Sequence, residues 1–229
     1  MSRLLQHLQE GHALRGQLAG DLGGREAALG RLAAGHGDGV VIQDLVGDIC
    51  LRRHSLTDRQ RAGMIPRTLA EVLEDVLAEC FRVAKPGAVG YLWCGDDFVS
   101  YINRIVEKVG FQFRKVIHWH KTNPFPAIYT RKMYANSMEM MVHFSKGTPK
   151  TWNHKPVNEM HNFIQAPICM GKERTAHKTQ KPLKVCLPFI EISSNEGDLV
   201  LDPFMGSGST AVAARKLKRN FIGFELIEI

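Results

Sequence analysis

No phenylalanine, tryptophan or tyrosine occurs in the first 80 residues, and no lysine precedes Lys85. All 18 aromatic side chains lie from Phe81 onward. Aromatic side chains bury large areas and dominate core energetics. Their absence argues against a packed core at the start of the chain. GREAALGRLAAGHGDG (24–39) permits at most a weak helix, broken at each glycine. Residues 1–67 are therefore read as an atypical, poorly ordered N-terminal segment.

Other absences exclude whole classes. No run of about 18 apolar residues exists, which excludes a membrane-spanning helix. No apolar stretch follows the first arginine in the manner of a secretory signal. The five cysteines (Cys50, Cys80, Cys94, Cys169, Cys186) form no C-x-x-C pair, and the ten histidines do not cluster with them. That argues against a disulfide framework or a zinc site and for free thiols in a reducing compartment.

The net charge is +7 over 229 residues, and its location is more telling than its size. Residues 85–184 carry sixteen Lys/Arg against six Asp/Glu, a local excess of +10. Such a concentration suits a polyanionic partner, usually nucleic acid, and equally an ordinary lysine-rich solvated surface; charge alone does not choose between them.

From Thr68 the pattern is that of a folded domain. Leu69, Val72, Leu73, Val76, Leu77 and Phe81 recur at helical spacing, with Thr68 and Glu71 as a capping pair and Pro86-Gly87 as the stop. AVGYLWC reads as a buried strand, DDFVSYINRIVEKVG as a helix, FRKVIHWHK as a strand, SMEMMVHFSKG as a strand and PLKVCLPFIEISS as a helix holding Pro188. Helix and strand alternate, which predicts an α/β domain over 68–229 with a mostly parallel sheet. Residues 122–178 are polar, basic and largely loop, a length that is usually functional.

GDLVLDPFMGSGSTAVAARKLKRNFIGFE (197–225) has the order strand, glycine turn, helix, strand. Gly206, Gly208 and Ala211 fit the G-x-G-x-x-A form of a nucleotide-binding turn, and Glu225 lies 17 residues past Gly208, where an acid can hold ribose hydroxyls. Ser209 occupies the lysine position of a phosphate loop, which disfavours ATP or GTP by that route. Asp202 precedes the glycines. An acid there suits a ligand ammonium and repels a diphosphate, so S-adenosylmethionine is favoured over NAD.

DPFMGSGST (202–210) closely resembles the cofactor motif of bacterial and phage DNA amino-methyltransferases of the permuted beta group. HKTQKP (177–182) resembles the family's His-Pro-Thr-Gln-Lys-Pro motif, with Lys178 in place of proline. HWHKTNPFP, CFRVAKPGAVGYLW and NFIGFE resemble further family segments in the same order, covering about residues 69–228. The resemblance implies a Rossmann-like S-adenosylmethionine-dependent fold with helices on both faces of the sheet. It implies methyl transfer to an exocyclic amino group of a base in double-stranded DNA, the base flipped from the duplex. Adenine N6 is favoured over cytosine N4. Asp202, Phe204, Gly206, Ser207, Gly208 and Glu225 would line the cofactor, with Thr179, Gln180 and Lys181 at its methionyl end. Asn123 and Pro124 would lie beside the flipped base. Arg131 and Lys132 would belong to DNA-recognition loops within 122–178. A cytoplasmic setting in a bacterium or a phage-infected cell follows, and a dimer is compatible.

Two features depart from the family. Its catalytic Asp/Ser-Pro-Pro-aromatic loop should precede the helix near Thr68, yet residues 1–68 contain no such tetrapeptide, so no catalytic residue is assigned. Family members also continue past the ribose-binding acid, whereas this sequence ends at Ile229. The lost loop, with the missing aromatics and lysines, points to an origin of the first 60 or so residues outside the family, such as a shifted reading frame. Two rival functions follow: a degenerate methyltransferase that binds DNA or cofactor without turnover, and an NAD-dependent oxidoreductase. RNA as substrate is a third, without a recognised RNA-binding signature to support it.

Overall fold

The computed structural model describes residues 67–124, 134–175, 177 and 179–224. In chain order the elements are α1 (Arg67–Val83), β1 (Val89–Cys94), α2 (Val99–Lys108), β2 (Gln112–Lys121), β3 (Met138–Ser145), β4 (Phe163–Ala166), α3 (Leu183–Ser193), β5 (Leu199–Asp202), α4 (Ser209–Lys216) and β6 (Asn220–Gly223). The side chains of Thr68 and Glu71, the capping pair expected for α1, lie outside the described residues.

Helix α1 stops where the sequence places its stop. Lys146 Nζ donates to Phe81 O (2.6 Å) and Ala84 O (2.8 Å), satisfying carbonyls that a helix end leaves open. Gly87 turns the chain at φ +87° into β1. All six residues of β1 are buried, as expected of a strand covered on both faces.

The strands order as β1-β3-β2-β4, with β5-β6 as a separate pair. β2 runs parallel to β4, and β5 to β6. β3 is antiparallel to both β1 and β2. The sheet is thus mixed, which corrects the expectation of a mostly parallel one. The cause is local: β3 inserts between β1 and β2 in the reverse sense, and the alternation of apolar residues carries no information on direction. β4 and two short 3-10 turns (Val157–Glu159 and Gly171–Glu173) also lie in the segment expected to be mostly loop.

Side chains of β1 alternate between two cores. Leu92 and Cys94 join Leu73, Leu77 and Cys80 of α1 and Ile102, Ile105 and Val106 of α2. Val89, Tyr91 and Trp93 join Val185, Cys186, Phe189 and Ile190 of α3 and Ala213 and Ala214 of α4. Leu201 of β5 enters the first core and Val200 the second, so β5-β6 shares both cores with the larger sheet. Helices cover both faces. Cys80, Cys94, Cys169 and Cys186 are buried thiols outside any disulfide, while Cys50 lies outside the described residues. Among the described residues no helix is long and apolar enough to cross a membrane, and no group of three or more His, Cys, Asp or Glu could hold a metal.

Candidate functional site

Asp202 is the last residue of β5 and is buried. Its Oδ1 accepts the Phe204 amide (3.0 Å), which bends the chain away from the strand. The Met205 amide donates to Phe224 O and the Phe224 amide to Asp202 O, so the end of β6 runs beside the turn. Glu225, the candidate ribose ligand, follows Phe224 and lies outside the described residues.

Gly206 and Gly208 both adopt left-handed φ, +49° and +77°. Side-chain-bearing residues resist this region, so glycine here has a steric reason. Gly208 is the N-cap of α4, and a β-carbon on it would meet nothing within 4 Å. The backbone therefore borders open space on that side, where a ligand can lie directly against it. A β-carbon at residue 206 would instead stand 2.9 Å from His177 Nε2, which places the start of HKTQKP over the glycine turn. His177 was not among the site residues read from the sequence. Its place in a matched motif was the signal available.

The rest of that motif is tied down by its own polar atoms. Gln180 Oε1 accepts from the Thr175 amide (2.7 Å) and hydroxyl (3.1 Å), and its Nε2 donates to Glu173 O (2.8 Å). Glu173 Oε1 accepts the Leu183 amide (2.8 Å) at the start of α3. Thr179 Oγ1 lies 3.4 Å from His177 Nδ1. Ser209 Oγ donates to Lys181 O (2.7 Å), so the 3.0 Å contact between Ser207 and Ser209 has Ser207 donating. These bonds join the segment before α3 to the glycine turn.

Lys181 is buried, only 4% exposed. Its Nζ lies 2.7 Å from Glu139 Oε1 and 5.7 Å from the centre of the Trp93 ring. Glu139 Oε2 lies 3.1 Å from Lys121 Nζ, which in turn stands over Trp119. Burial opposes ionisation of Glu139, but Lys181 and Lys121 outweigh it and hold the carboxyl below its usual range. Neither Glu139 nor Lys121 stood out in the sequence, because a pairing across three chain segments has no local pattern.

Asn123 follows the end of β2. Its Oδ1 accepts the Ile168 amide (2.8 Å), and its Nδ2 lies 2.9 Å from Met170 Sδ. Pro124 beside it is half-buried, and Phe204 is half-buried against the α1–α2 core. Arg131 and Lys132 lie outside the described residues. The structure thus brings Asp202, Phe204, Gly206, Ser207, Gly208, His177 and the 179–181 segment together. Asn123 and Pro124 sit at the end of the strand that carries Lys121.

Residues 66–228 match a family model described as DNA methylase. The chain is 33% identical over 176 residues to the type II methyltransferase M.HpaI of Haemophilus parainfluenzae, an alignment covering 68% of this chain and 55% of that protein. It is 34% identical over 166 residues to the type II methyltransferase M.HinfI of Haemophilus influenzae, covering 65% and 45%. The chain thus spans about half the length of these curated relatives. Among solved structures, the M1.HpyAVI–SAM complex matches with a TM-score of 0.66 and 30% identity over 84% of each chain. The cytosine-N4-specific PvuII DNA methyltransferase matches with a TM-score of 0.65 at 17% identity, covering 89% of this chain and 79% of that one, a likeness of fold.

Proposed function

The chain belongs to the DNA methylase family, and from that premise we propose that it binds S-adenosylmethionine and transfers its methyl group to an exocyclic amino group of a DNA base. The observation that carries the proposal is the buried carboxylate of Asp202 at the end of β5, followed by a left-handed glycine turn open to a ligand at Gly208. S-adenosylmethionine has an ammonium, a sulfonium and ribose hydroxyls, a cationic and hydroxylated surface that an acid and bare backbone suit. When bound, it supplies a methyl group activated by the positive charge on sulfur.

The chain's own residues divide into two sides. Asp202, Phe204, Gly206, Ser207, Gly208 and Glu225 form the cofactor side, with Thr179, Gln180 and Lys181 building the adjacent wall. Asn123 and Pro124 border the base, and Arg131 and Lys132 contribute to the basic segment that meets the phosphates of double-stranded DNA. The base swings out of the stack to reach the methyl donor. Adenine N6 is the preferred acceptor over cytosine N4, on the likeness of the middle segment.

The test is transfer of radiolabelled methyl from S-adenosylmethionine to unmethylated duplex DNA, with the product nucleoside identified by chromatography. Label in N6-methyladenine supports the full reading, and label in N4-methylcytosine overturns the base preference. One observation favours a second reading, binding without turnover: residues 1–68 hold no Pro-Pro-aromatic tetrapeptide to polarise the amino group. Tight S-adenosylmethionine binding with no transfer would establish it. Thermal stabilisation by NAD in place of S-adenosylmethionine would return the assignment to an oxidoreductase.

A further inference from the structure

Three segments distant in sequence meet at one carboxylate. Glu139 is the second residue of β3, Lys121 closes β2, and Lys181 lies two residues before α3. Each oxygen of Glu139 takes a different ammonium, Oε1 that of Lys181 and Oε2 that of Lys121. The three side chains are 20%, 17% and 4% exposed, so all are largely desolvated. Desolvating three charges is costly, and apolar side chains of similar volume often hold a fold as well. The arrangement therefore calls for a role other than stability.

Its connections indicate which role. The Lys181 carbonyl accepts the hydroxyl of Ser209, the first residue of α4 behind the glycine turn. On the other side, Lys121 and Thr122 are bonded through their amides to Ser137 O and Ala166 O, and Asn123 fixes the Ile168 amide. Trp93 and Trp119 meet edge to face at 6.0 Å and give the two ammonium groups rigid aromatic seats. One carboxylate thus stands between a thread to the glycine turn and a thread to Asn123.

Resting on the reading that these are the cofactor and base sides, we propose that Glu139 is a positioning residue that sets the distance between the two. Its two oxygens fix both lysines at once. Loss of the charge frees the two sides to move independently and weakens binding at each.

Glu139→Gln is the direct test. A glutamine offers one oxygen acceptor and points its NH2 at the other ammonium, so only one lysine keeps an acceptor on residue 139. In the ligand-free chain, amide hydrogen exchange should accelerate in peptides covering both 121–124 and 181–211, with α2 unchanged. In the same preparation the dissociation constant for S-adenosylmethionine and the KM for duplex DNA should each rise by roughly tenfold. Lys121→Met, a milder change on the base side, should also accelerate exchange around Ser209 and weaken S-adenosylmethionine binding. Uniform acceleration across the chain, a change confined to one segment, or wild-type constants for both ligands would each overturn the proposal. If the wild-type chain binds no S-adenosylmethionine, the cofactor reading fails on its own, and the ligand-free exchange pattern still decides the role of Glu139.

Discussion

Gly206 lies directly beneath the imidazole of His177: a β-carbon at residue 206 would stand 2.9 Å from Nε2 and 3.1 Å from Cε1. Real β-carbons do not approach other atoms so closely, so the glycine and the histidine fit only as a pair. The contact closes the segment before α3 over the turn that leaves β5.

Gly206→Ala should therefore act twice. A left-handed φ of +49° costs alanine about 1 kcal/mol, and the methyl group pushes His177 outward. We expect a modest fall in melting temperature and a clearly larger loss of S-adenosylmethionine affinity by calorimetry. His177→Ala in the same chain should recover part of the thermal loss. No recovery in the double variant would show that the contact carries none of the effect.

Asp202→Asn keeps an oxygen to accept the Phe204 amide but removes the charge. Hydrogen bonds to charged groups contribute about 1.5–3 kcal/mol, so S-adenosylmethionine affinity should fall by roughly ten- to a hundredfold with little change in melting temperature. Equal affinity for variant and wild type would remove Asp202 from the cofactor site.

Gly90 pairs with Phe144 across β1 and β3, and a β-carbon at residue 90 would come within 2.2 Å of the Phe144 ring. Phe144 is fully buried and has nowhere to go. Gly90→Ala should destabilise by about 1–3 kcal/mol or more in urea unfolding. Phe144→Leu leaves a void by itself but makes room for the added methyl. The double variant should be more stable than the sum of the two single losses predicts.

His143 lies between the rings of Tyr91 and Trp152, at 4.9 and 5.5 Å. Burial, with a smaller contribution from Arg114, lowers its pKa to about 4. The folded state therefore binds the proton less readily than the unfolded chain. The stability associated with neutral His143 is complete above about pH 6.5 and falls as pH drops towards 4, by up to roughly 3 kcal/mol. His143→Phe keeps a ring in the stack and has no proton to take up. Its urea midpoint should decline less than that of the wild type between pH 6.5 and 4, and parallel curves would show that another group dominates the acid response.

Much of the candidate site's geometry was legible because its signals are local. Asp202, Gly206 and Gly208 lie within seven residues, and that stretch alone spells a strand ending in an acid and a turn that only glycine relaxes into. The two helical patterns ending at Gly87 and Gly110 needed nothing beyond the 3.6-residue period. The reversed direction of β3 and the short β4 were not legible. A strand pattern records which face is buried and says nothing about which way the neighbour runs.

The sequence by itself determined the α/β class, the buried strands, the glycine turn and the resemblance to a methyl-transferring family, since each rests on residue types at short spacing. Only the tertiary structure decided that His177 covers Gly206, that Gln180 is spent on the turn at Thr175, and that Lys121 and Lys181 share Glu139. The first and the last of those relations join residues far apart in the chain. They exist because a glycine leaves room for the ring, and because burial forces each ammonium to find a partner wherever folding brings one within reach.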